Sequence, residues 1–595
     1  MLRFDFENED GTQRHLQFEN ALRTIVAHTL DDVRPAMRAV DAAVHDGFYV
    51  AGLVCYESAP AFDAALSVRE RTQLPLVWFG VFERPSELST AASASTFEHL
   101  ETARWTPDVS VSEYDNAIAG VRDAIGRGDV YQANYSFRLQ GTLDPSSLEA
   151  RYRRLLAEHR APYAAYLDLG QWHVLSLSPE LFFRVHDGHI VTKPMKGTAP
   201  RGRWLEDDAA QASNLASSEK ERAENVMIVD LMRNDLGRIA EIGSVQVRSL
   251  FDVERYPSVL QMVSSVESRL RPNTTLDEIF AALFPAGSIT GAPKTSSMSL
   301  LTRLERSARG PYCGAIGFVA PDGDAVFNVA IRTAVVDSRD GCATFGIGGG
   351  VTWDSTASGE YAEALSKAAC LDATPPFDLL ETMRLENGRY VRRDDHLRRL
   401  RDSAAYFDFV YDATQVAKAL DTHSAQHHQD IRRVRLLLSR DGQAMVESRS
   451  LESLPEPPRA FVLADAPIDR GDRFLYHKTT VRALYEQHHA SHPDAFDVLL
   501  WNEAGELTEF TIGNLVVEID GRRWTPPRHC GLLDGVLRRT LLDRGEIHER
   551  VLTADDLARA TGIWRVSSLR EWVEVTYEPA SRLGLRRRVA NQMVD

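Results

Sequence analysis

The stretch Lys193-Pro-Met-Lys-Gly-Thr-Ala-Pro-Arg-Gly202 places a single lysine, Lys196, between a Pro-Met step and a Gly-Thr pair. It follows two alternating apolar segments, 181–185 and 190–192, that are typical of strands. Proline restricts the backbone and glycine allows a close approach, so the pattern predicts a junction between a strand and a turn. An amine that is partly desolvated there loses its proton more readily and can act as a nucleophile. A lone turn lysine is more often a solvated surface residue, so the interpretation depends on the rest of the chain.

Length and composition predict a large folded protein. The chain has 595 residues, of which 44% are hydrophobic and 26% are charged, as is usual for globular domains. Its formal net charge of -17 gives no general attraction to nucleic acid or to an anionic membrane surface. We therefore expect neither nucleic acid nor membrane as a partner.

The cysteines and the apolar segments bear on the compartment. Five scattered cysteines without a CxxC pair predict reduced thiols rather than a disulfide framework or a zinc ribbon. The acidic start has no apolar segment of the kind that signal peptides carry, and no uncharged apolar run approaches about 18 residues. We expect a soluble cytoplasmic protein.

A proline pair marks the best domain boundary. The segment 371–376 ends in Pro-Pro after a helical pattern and precedes a new strand pattern, so it is predicted to be a linker. It would join a first domain, residues 1–370 with a core at about 110–370, to a second domain at 377–595. Residues 1–105 mix strand and helix patterns without indicating a chemistry, and 87–97 is predicted to be a surface loop.

Two pairs of carboxylates stand out by their spacing. Glu221 and Glu224 are three residues apart in a helical pattern, as are Glu360 and Glu363. Side chains at this spacing share one helix face. Two such helices brought together would offer hard oxygen ligands suited to Mg2+. Each pair alone is more often a solvated helix face.

Small residues and one arginine add a candidate anion site. Residues 285–294 place glycines, hydroxyls and a lysine ahead of a predicted helix, a setting that favours an anionic ligand. The glycine-rich run 345–351 lacks the context of a dinucleotide site. Arg332 is predicted to lie in a strand, where it could clamp a carboxylate through two hydrogen bonds or form an ordinary ion pair.

Six motifs in order carry a resemblance to the chorismate-utilising enzymes over roughly 110–370. They are Ser178-Pro-Glu180, Pro194-Met-Lys-Gly-Thr198, the segments 220–237, 287–294 and 310–317, and Glu360-Tyr-Ala-Glu363. The family includes anthranilate, isochorismate, salicylate and aminodeoxychorismate synthases. It implies an α+β fold of packed sheets flanked by helices.

Within that family, Lys196 resembles the lysine of the aminodeoxychorismate synthase branch, where anthranilate synthases have alanine. The resemblance implies that this lysine attacks C2 of chorismate, that ammonia then enters at C4, and that Glu180 is the general acid/base. It implies Glu224 and Glu363 as direct Mg2+ ligands, with Glu221 and Glu360 acting through water. The implied substrate contacts are Ser288, Thr290, Tyr312, Arg332, Lys367 and the backbone at Gly346 and Gly348. Asn225 and Gln261 stand where several relatives have histidine, and Gln261 is left out of the catalytic set.

A second set of residues resembles the fold-type IV pyridoxal-phosphate (PLP) family over about 377–575. Such a site needs a Schiff-base lysine, an acid at the pyridine nitrogen, and an arginine or helix start for the phosphate. The motifs are 377–384, 396–404, 478–482, 507–514 and 524–538. The resemblance implies these roles for Lys478, Glu509, Arg399, Gly535 and Val536. Arg384 and Arg440 are further candidates for a substrate carboxylate.

Together the two resemblances predict a bifunctional enzyme. The first domain would aminate chorismate at C4 with Mg2+, and the second would use PLP to eliminate pyruvate and release 4-aminobenzoate for folate synthesis. A separate glutamine amidotransferase, or free ammonia, would supply the nitrogen. Two alternatives stay open: an anthranilate- or salicylate-type enzyme with an appended aminotransferase, and a second domain that only docks the amidotransferase. The shortened start of the second family's pattern before Phe377 keeps that last alternative in view.

Overall fold

The computed structural model describes residues 1–8, 10–69, 73–88, 103–371, 376–427 and 430–579. The chain forms two compact units: the first comprises Met1–Arg201 and Gln211–Thr374, and the second comprises Gly202–Ala210 and Pro375–Asp595. Most of the predicted linker 371–376 and most of the predicted loop 87–97 lie outside the described residues.

The first unit contains two antiparallel ten-stranded sheets among its described residues. In spatial order, the strands of one are Gly291–Ala292, Gln132–Thr142, Cys342–Val351, Thr333–Asp337, Trp172–Ser178, Tyr163–Asp168, Leu2–Glu7, Gln13–Phe18 and Ser86–Glu87, with Thr106–Pro107 paired to Gln132–Thr142. Those of the other are Met195–Pro200, Val259–Arg269, His189–Thr192, Leu181–His186, Ala325–Val329, Ala315–Val319, Tyr49–Val54, Val77–Phe82 and Arg23–Ala27, with Gln246–Arg255 paired to Val259–Arg269. Each sheet therefore gathers strands from distant parts of the sequence.

Helices flank these sheets. Their bounds are Leu30–His45, Ala59–Phe62, Val111–Gly126, Leu148–His159, Glu219–Gly237, Leu276–Leu283, Lys294–Leu304 and Ala357–Ser366, with 3-10 turns at Tyr56–Ser58, Pro145–Ser147, Gly287–Ile289 and Lys367–Leu371. Helix Leu205–Ser217 begins in the second unit and ends in the first. Leu30–His45 buries Val33, Met37 and Val40, which recur at helical spacing. Ser110 caps the start of helix Val111–Gly126. Its side chain accepts a hydrogen bond from the Glu113 backbone, and the Glu113 side chain accepts one from the Ser110 backbone. The packed sheets and helices confirm the predicted α+β class.

The segment around Lys196 differs from its prediction. Met195–Pro200 is a strand paired with Val259–Arg269, and a register shift between Met195 and Thr198 makes a bulge there. Gly197 supplies the positive φ of 99° within the bulge. Gly197, which helped to predict a turn, instead lies in a bulge of a strand that begins directly after Pro194.

The second unit has a four-stranded and a nine-stranded sheet among its described residues. The first runs Arg389–Tyr390, Leu379–Glu386, Arg432–Leu438 and Ala444–Ser450. The second runs His548–Glu549, Arg522–Thr525, Gly513–Ile519, Leu507–Phe510, Asp497–Trp501, Ala460–Leu463 and Thr576–Tyr577, with Gly562–Ser567 paired to Gly513–Ile519 and Glu571–Glu574. Helices are Arg393–Phe407, Ala413–Ser424, Ala483–Ser491, Val536–Asp543 and Ala554–Arg559, with 3-10 turns at Arg473–Leu475 and Arg528–Cys530.

The nine residues Gly202–Ala210 belong to the second unit although they lie far from its other residues in sequence. Trp204 packs on Tyr476 with ring centroids 5.1 Å apart. The Tyr406 hydroxyl donates a hydrogen bond of 2.6 Å to the Gly202 carbonyl. The sequence placed this segment in the first domain, because only these long-range contacts assign it to the second.

None of the helices in the described ranges is both long enough and apolar enough to cross a membrane.

Candidate active sites

The first unit contains a cavity of about 180 Å³ that we call the first cavity. Its lining includes most of the residues that the motifs selected: Glu180, Lys196, Glu221, Glu224, Ser288, Tyr312, Arg332, Gly346, Gly348, Glu360, Glu363 and Lys367. Residues separated by almost 190 positions in sequence therefore meet around one space.

Lys196 is held at the wall of the first cavity through its backbone. Its carbonyl accepts a hydrogen bond of 3.3 Å from the Asn225 side chain. A Cβ built on Gly350 would lie 2.4 Å from the Lys196 Nζ, so the absence of a side chain there makes room for the amine. Burial and the nearby Lys367 lower the pKa of Lys196, although Glu224 opposes the shift. The amine is thus closer to its nucleophilic form than a solvated lysine.

Glu180 is the buried acid of the first cavity. Its carboxyl accepts a hydrogen bond of 2.5 Å from the Ser288 hydroxyl and is 3% exposed. Burial raises its pKa to about 7, against the opposing effects of Ser288 and Lys196. A carboxyl that titrates near neutrality can both accept and return a proton under ordinary conditions.

The four predicted metal ligands lie on two helices, Glu219–Gly237 and Ala357–Ser366, and all line the first cavity. Burial raises the pKa of Glu221, Glu224 and Glu360, and neighbouring carboxylates add to each increase. Burial also acts to raise the pKa of Glu363, but Lys367, 3.0 Å away, lowers it overall. Mutually repelling carboxylates facing one space are a donor set that a divalent cation would stabilise.

In the described ranges, no three His, Cys, Asp or Glu side chains are close enough to hold a metal without other ligands. Mg2+ usually binds through one or two carboxylates and retains water or substrate oxygens. The two facing carboxylate pairs fit that requirement.

The remaining lining residues present cationic and polar groups. Lys367 donates a hydrogen bond of 2.8 Å from Nζ to the Gly348 carbonyl. A Cβ on Gly346 would lie 2.2 Å from the Tyr312 ring, so this glycine allows the tyrosine to approach the strand. Arg332 lines the cavity from the connection between two strands, with a φ of 51°. The prediction that it lies in a strand was wrong, because the chain turns sharply between Val329 and Thr333.

Thr290 does not line the first cavity. Its side chain is fully buried, and its hydroxyl donates to the carbonyls of Ala286 and Gly287 at 3.2 and 3.3 Å. The prediction of a substrate contact is corrected on this point, because the hydroxyl stabilises the 3-10 turn that carries Ser288.

Three polar residues lie beside Lys196: the sequence analysis noted Asn225 and Gln261 without giving them a role, and it missed Gln132. Asn225 accepts a hydrogen bond of 2.5 Å from Ser264 while it holds the Lys196 carbonyl. Gln261 donates to the Gly197 carbonyl at 3.0 Å. The Gln132 side-chain amide is fully buried and has no hydrogen-bond partner among the described residues. Its Nε2 lies 2.9 Å from a Cβ built on Gly350, the same position that lies 2.4 Å from the Lys196 Nζ. Their importance depends on strand pairing that sequence spacing does not indicate.

The second unit contains a larger cavity of about 490 Å³, the second cavity. Its lining includes all five residues predicted for the cofactor: Arg399, Lys478, Glu509, Gly535 and Val536. Burial lowers the pKa of Lys478 to about 7, and Arg399 and Arg482 add to the shift. The Lys478 Nζ has no hydrogen bond or ion pair within the described ranges. This amine is therefore buried, has a pKa near 7 and is available for a covalent bond.

Glu509 faces the same cavity as an acid whose orientation is fixed. It accepts hydrogen bonds from the Tyr485 hydroxyl at 2.9 Å, the Asn514 side chain at 3.1 Å and the Leu533 backbone at 3.2 Å. Burial raises its pKa to about 7. A carboxyl in this position suits a hydrogen bond to a ring nitrogen.

Arg399 has a structural partner as well as a place in the cavity wall. It forms two hydrogen bonds with Glu381, of 2.9 and 2.7 Å, and a third of 3.2 Å to the Asp534 carbonyl. Asp534 precedes Gly535, the residue at which helix Val536–Asp543 begins. An arginine beside a helix start is a setting that fits a phosphate group. Together with Lys478 and Glu509, these residues fit PLP.

Arg384 and Arg440 do not line the second cavity. Arg384 pairs with Glu386 at 2.9 Å, and the Arg440 guanidinium lies 4.9 Å from the centroid of the Phe409 ring. Their prediction as carboxylate contacts is corrected accordingly. Other arginines, not singled out from the sequence, occupy the cavity wall.

The fold and the two cavities define a two-part enzyme-like chain, and the comparisons assign each part to a family. Residues 4–372 match the model of the chorismate binding enzyme family, and residues 378–577 match that of the class IV amino-transferases. Because the first match covers more than half of the chain, the chain belongs to the chorismate binding enzyme family. Both predicted family resemblances are confirmed.

Individual relatives of the chain include aminodeoxychorismate synthases and a solved anthranilate synthase component I. The chain is 41% identical over 281 residues to aminodeoxychorismate synthase component 1 of Klebsiella aerogenes, covering 47% of this chain and 61% of that protein. It is 44% identical over 262 residues to aminodeoxychorismate synthase of Streptomyces pristinaespiralis, covering 44% of this chain and 36% of that protein. The crystal structure of anthranilate synthase component I from Streptococcus pneumoniae TIGR4 is 26% identical with a TM-score of 0.52, covering 62% of this chain and 92% of that one. The chain thus spans 36% to 61% of the length of these two curated relatives.

Proposed function

We propose that the chain converts chorismate to 4-aminobenzoate in two steps, one in each cavity. The first step replaces the C4 hydroxyl of chorismate with an amine, giving 4-amino-4-deoxychorismate and water. The second step eliminates pyruvate from that product. The observation that carries the proposal is the position of Lys196, whose amine has its pKa lowered by burial and lines the same cavity as two pairs of glutamates.

In the first step the Lys196 amine would form a bond to C2 of chorismate as the C4 hydroxyl departs. Ammonia would then form a bond at C4 and release the lysine. A covalent step of this kind replaces one difficult displacement with two easier ones. Glu180, which titrates near neutrality, would carry protons to the departing oxygen and from the entering nitrogen.

The charged lining of the first cavity would hold the substrate and a metal. Arg332 and Lys367 offer positive charge to the two carboxylates of chorismate. Glu224 and Glu363 would bind Mg2+ directly, with Glu221 and Glu360 acting through water. When bound, Mg2+ supplies positive charge that favours departure of a hydroxyl.

In the second step, 4-amino-4-deoxychorismate would lose its C4 proton and its enolpyruvyl group, leaving an aromatic ring. When bound, PLP supplies an electron-withdrawing ring that stabilises negative charge next to the substrate amine. Lys478 would hold the cofactor covalently until the substrate amine takes its place, and the released lysine amine would then accept the C4 proton and donate a proton to the departing enolpyruvyl group. Glu509 would face the ring nitrogen, and Arg399 with the Gly535–Val536 helix start would hold the phosphate.

We infer that ammonia comes from a separate glutamine amidotransferase or from solution. The Klebsiella aerogenes relative is named component 1, which indicates a second component in that system. Because catalysis from free ammonia needs only the first cavity, the chain alone is expected to react with chorismate in concentrated ammonium salt.

Product analysis tests the proposal. The pure chain is incubated with chorismate, Mg2+ and ammonium, with and without PLP, and products are identified by mass and by the ring position of the amine. We expect 4-aminobenzoate and pyruvate with PLP, and accumulation of 4-amino-4-deoxychorismate without it. Anthranilate or salicylate would assign the first cavity to another reaction of chorismate. Accumulation of 4-amino-4-deoxychorismate both with and without PLP would instead favour a second unit that only docks a partner.

A further inference from the structure

Among the residues that the structure describes, four arginines lining the second cavity form no ion pair with a carboxylate, and we call them the arginine wall: Arg433, Arg449, Arg482 and Arg570. The three other lining arginines are neutralised, since Arg399 pairs with Glu381, Arg435 with Glu447 and Arg565 with Asp497, each at 2.7 Å. The wall is therefore a local excess of positive charge in a chain whose net charge is -17.

Members of the wall face one another across strands. Arg433 of Arg432–Leu438 lies directly opposite Arg449 of Ala444–Ser450 in the antiparallel register. Like charges directly opposite on neighbouring strands destabilise a sheet. This pairing is unfavourable in the isolated fold, so the sheet alone does not account for it.

The hydrogen bonds of the wall leave much of its donor capacity unused. Arg482 donates to the Thr511 carbonyl at 2.8 Å, and Arg570 donates to the Glu452 carbonyl. In the described ranges, the side chains of Arg433 and Arg449 form no hydrogen bond or ion pair, and the Arg433 Nε is buried without a partner. Arg449 is exposed, whereas the other three arginines of the wall are half-buried. A buried donor such as the Arg433 Nε is costly without a partner, so an added anion would stabilise this side chain.

The wall continues to the reactive amine. Arg482 lies near enough to Lys478 to lower the pKa of that lysine. Burial lowers the pKa of Arg433, and four neighbouring arginines add to the effect: Arg449, Arg435, Arg482 and Arg570. An anion bound to the wall would relieve this repulsion and would lie beside the amine of Lys478.

We propose that Arg433 and Arg449, together with Arg482 and Arg570, form a subsite for an organic ligand that carries two carboxylates. Four guanidinium groups without carboxylate partners exceed what one carboxylate can neutralise, and guanidinium groups bind carboxylates through paired hydrogen bonds. The inference rests on the proposed function, in which the amine substrate of this cavity has two carboxylates. The arginine wall would thus bind substrates with two carboxylates more tightly than amines with a single carboxylate.

Binding of two aromatic probes to the PLP-loaded full chain tests the subsite. Isophthalate, with two carboxylates, and benzoate, with one, are titrated separately while the PLP absorbance band is followed, so that binding in the first unit does not contribute. We expect isophthalate to bind at least about ten-fold more tightly than benzoate, and Arg433→Gln or Arg449→Gln to weaken isophthalate binding by about ten-fold or more. Arg432→Gln is the matched control: that neighbouring arginine is outside the cavity lining and donates to Ser448. Unchanged isophthalate binding in both wall variants would overturn the subsite.

Thermal unfolding without ligand separates a binding role from a structural one. Because Arg433 adds repulsion, Arg433→Gln is expected to leave the Tm unchanged or to raise it. A large fall in Tm would mean that the arginine stabilises the fold and would overturn the proposal. The outcome is distinct from a failure of the proposed function: isophthalate selectivity without pyruvate release would retain the subsite and reject the lyase reaction.

Discussion

The position of the Lys196 backbone brings its amine into a buried setting that lowers the pKa below the ordinary lysine value. The bulge at Gly197 and the hydrogen bond from Asn225 hold the residue in the cavity wall, and burial with Lys367 then favours loss of its proton. The identity of Lys196 and the i, i+3 glutamate pairs could be read from the sequence, because helix periodicity alone places each pair on one face. The orientation of Thr290 could not, because its hydroxyl direction depends on a local turn.

Replacing Lys196 tests its role directly. We expect Lys196→Ala to lower the rate of C4 amination by at least about 100-fold, because the covalent route is lost. The measurement is the initial rate of 4-amino-4-deoxychorismate formation with ammonium. Lys193→Ala is the control, since Lys193 is three residues away and does not line the cavity. Full activity of Lys196→Ala would remove the covalent role while leaving the family assignment intact.

The lowered pKa of Lys478 predicts a pH dependence for cofactor loading. A lysine with its pKa lowered to about 7 is mostly neutral above that pH and mostly protonated below it. Only the neutral amine attacks the PLP aldehyde, so the loading rate should rise between pH 6 and pH 8 with a midpoint near 7, as about one pH unit on each side of the pKa spans most of a titration. Absorbance after mixing apo protein with PLP gives the rate, and Lys478→Ala gives the baseline. A midpoint near the ordinary lysine value would contradict the burial argument.

At the scale of elements, glycines determine how closely strands and helix starts approach the sites. Gly346 admits the Tyr312 ring, and Gly535 lies against the Asn514 side chain at the start of helix Val536–Asp543. The sequence predicted several of the strands and helices, among them the strands at 181–185 and 190–192 and the helices that carry the glutamate pairs, since alternation and helical periodicity are local signals. It placed Arg332 in a strand and Lys196 in a turn, because bulges and sharp turns arise from pairing with distant strands.

Gly535→Ala is expected to weaken PLP binding. A Cβ there would lie 2.0 Å from the Asn514 Oδ1, and Asn514 also donates to Glu509 and to the Leu533 carbonyl. Displacing that side chain removes buried hydrogen bonds, so we expect an increase of about ten-fold in the PLP dissociation constant. A spectroscopic titration measures it. Gly237→Ala is the control, because its added Cβ has no atom within 4 Å, and equal affinity in the two variants would contradict the packing argument.

At the scale of the whole molecule, the two cavities have opposite character. The first presents paired glutamates and the second presents the arginine wall, within one acidic chain. The order of motifs predicted two families in sequence, and both are confirmed. The interleaving of distant strands in the ten-stranded sheets, and the assignment of Gly202–Ala210 to the second unit, could not be predicted because they depend on long-range packing.

We propose that Lys196 and Lys478 act in succession on one substrate. Lys196→Ala and Lys478→Ala chains are assayed separately and as an equimolar mixture with chorismate, ammonium, Mg2+ and PLP. We predict that Lys478→Ala accumulates 4-amino-4-deoxychorismate, that Lys196→Ala forms little product unless that intermediate is supplied, and that the mixture restores 4-aminobenzoate. Formation of 4-aminobenzoate at the wild-type rate by either variant alone, or its absence from the wild-type reaction, would contradict the account.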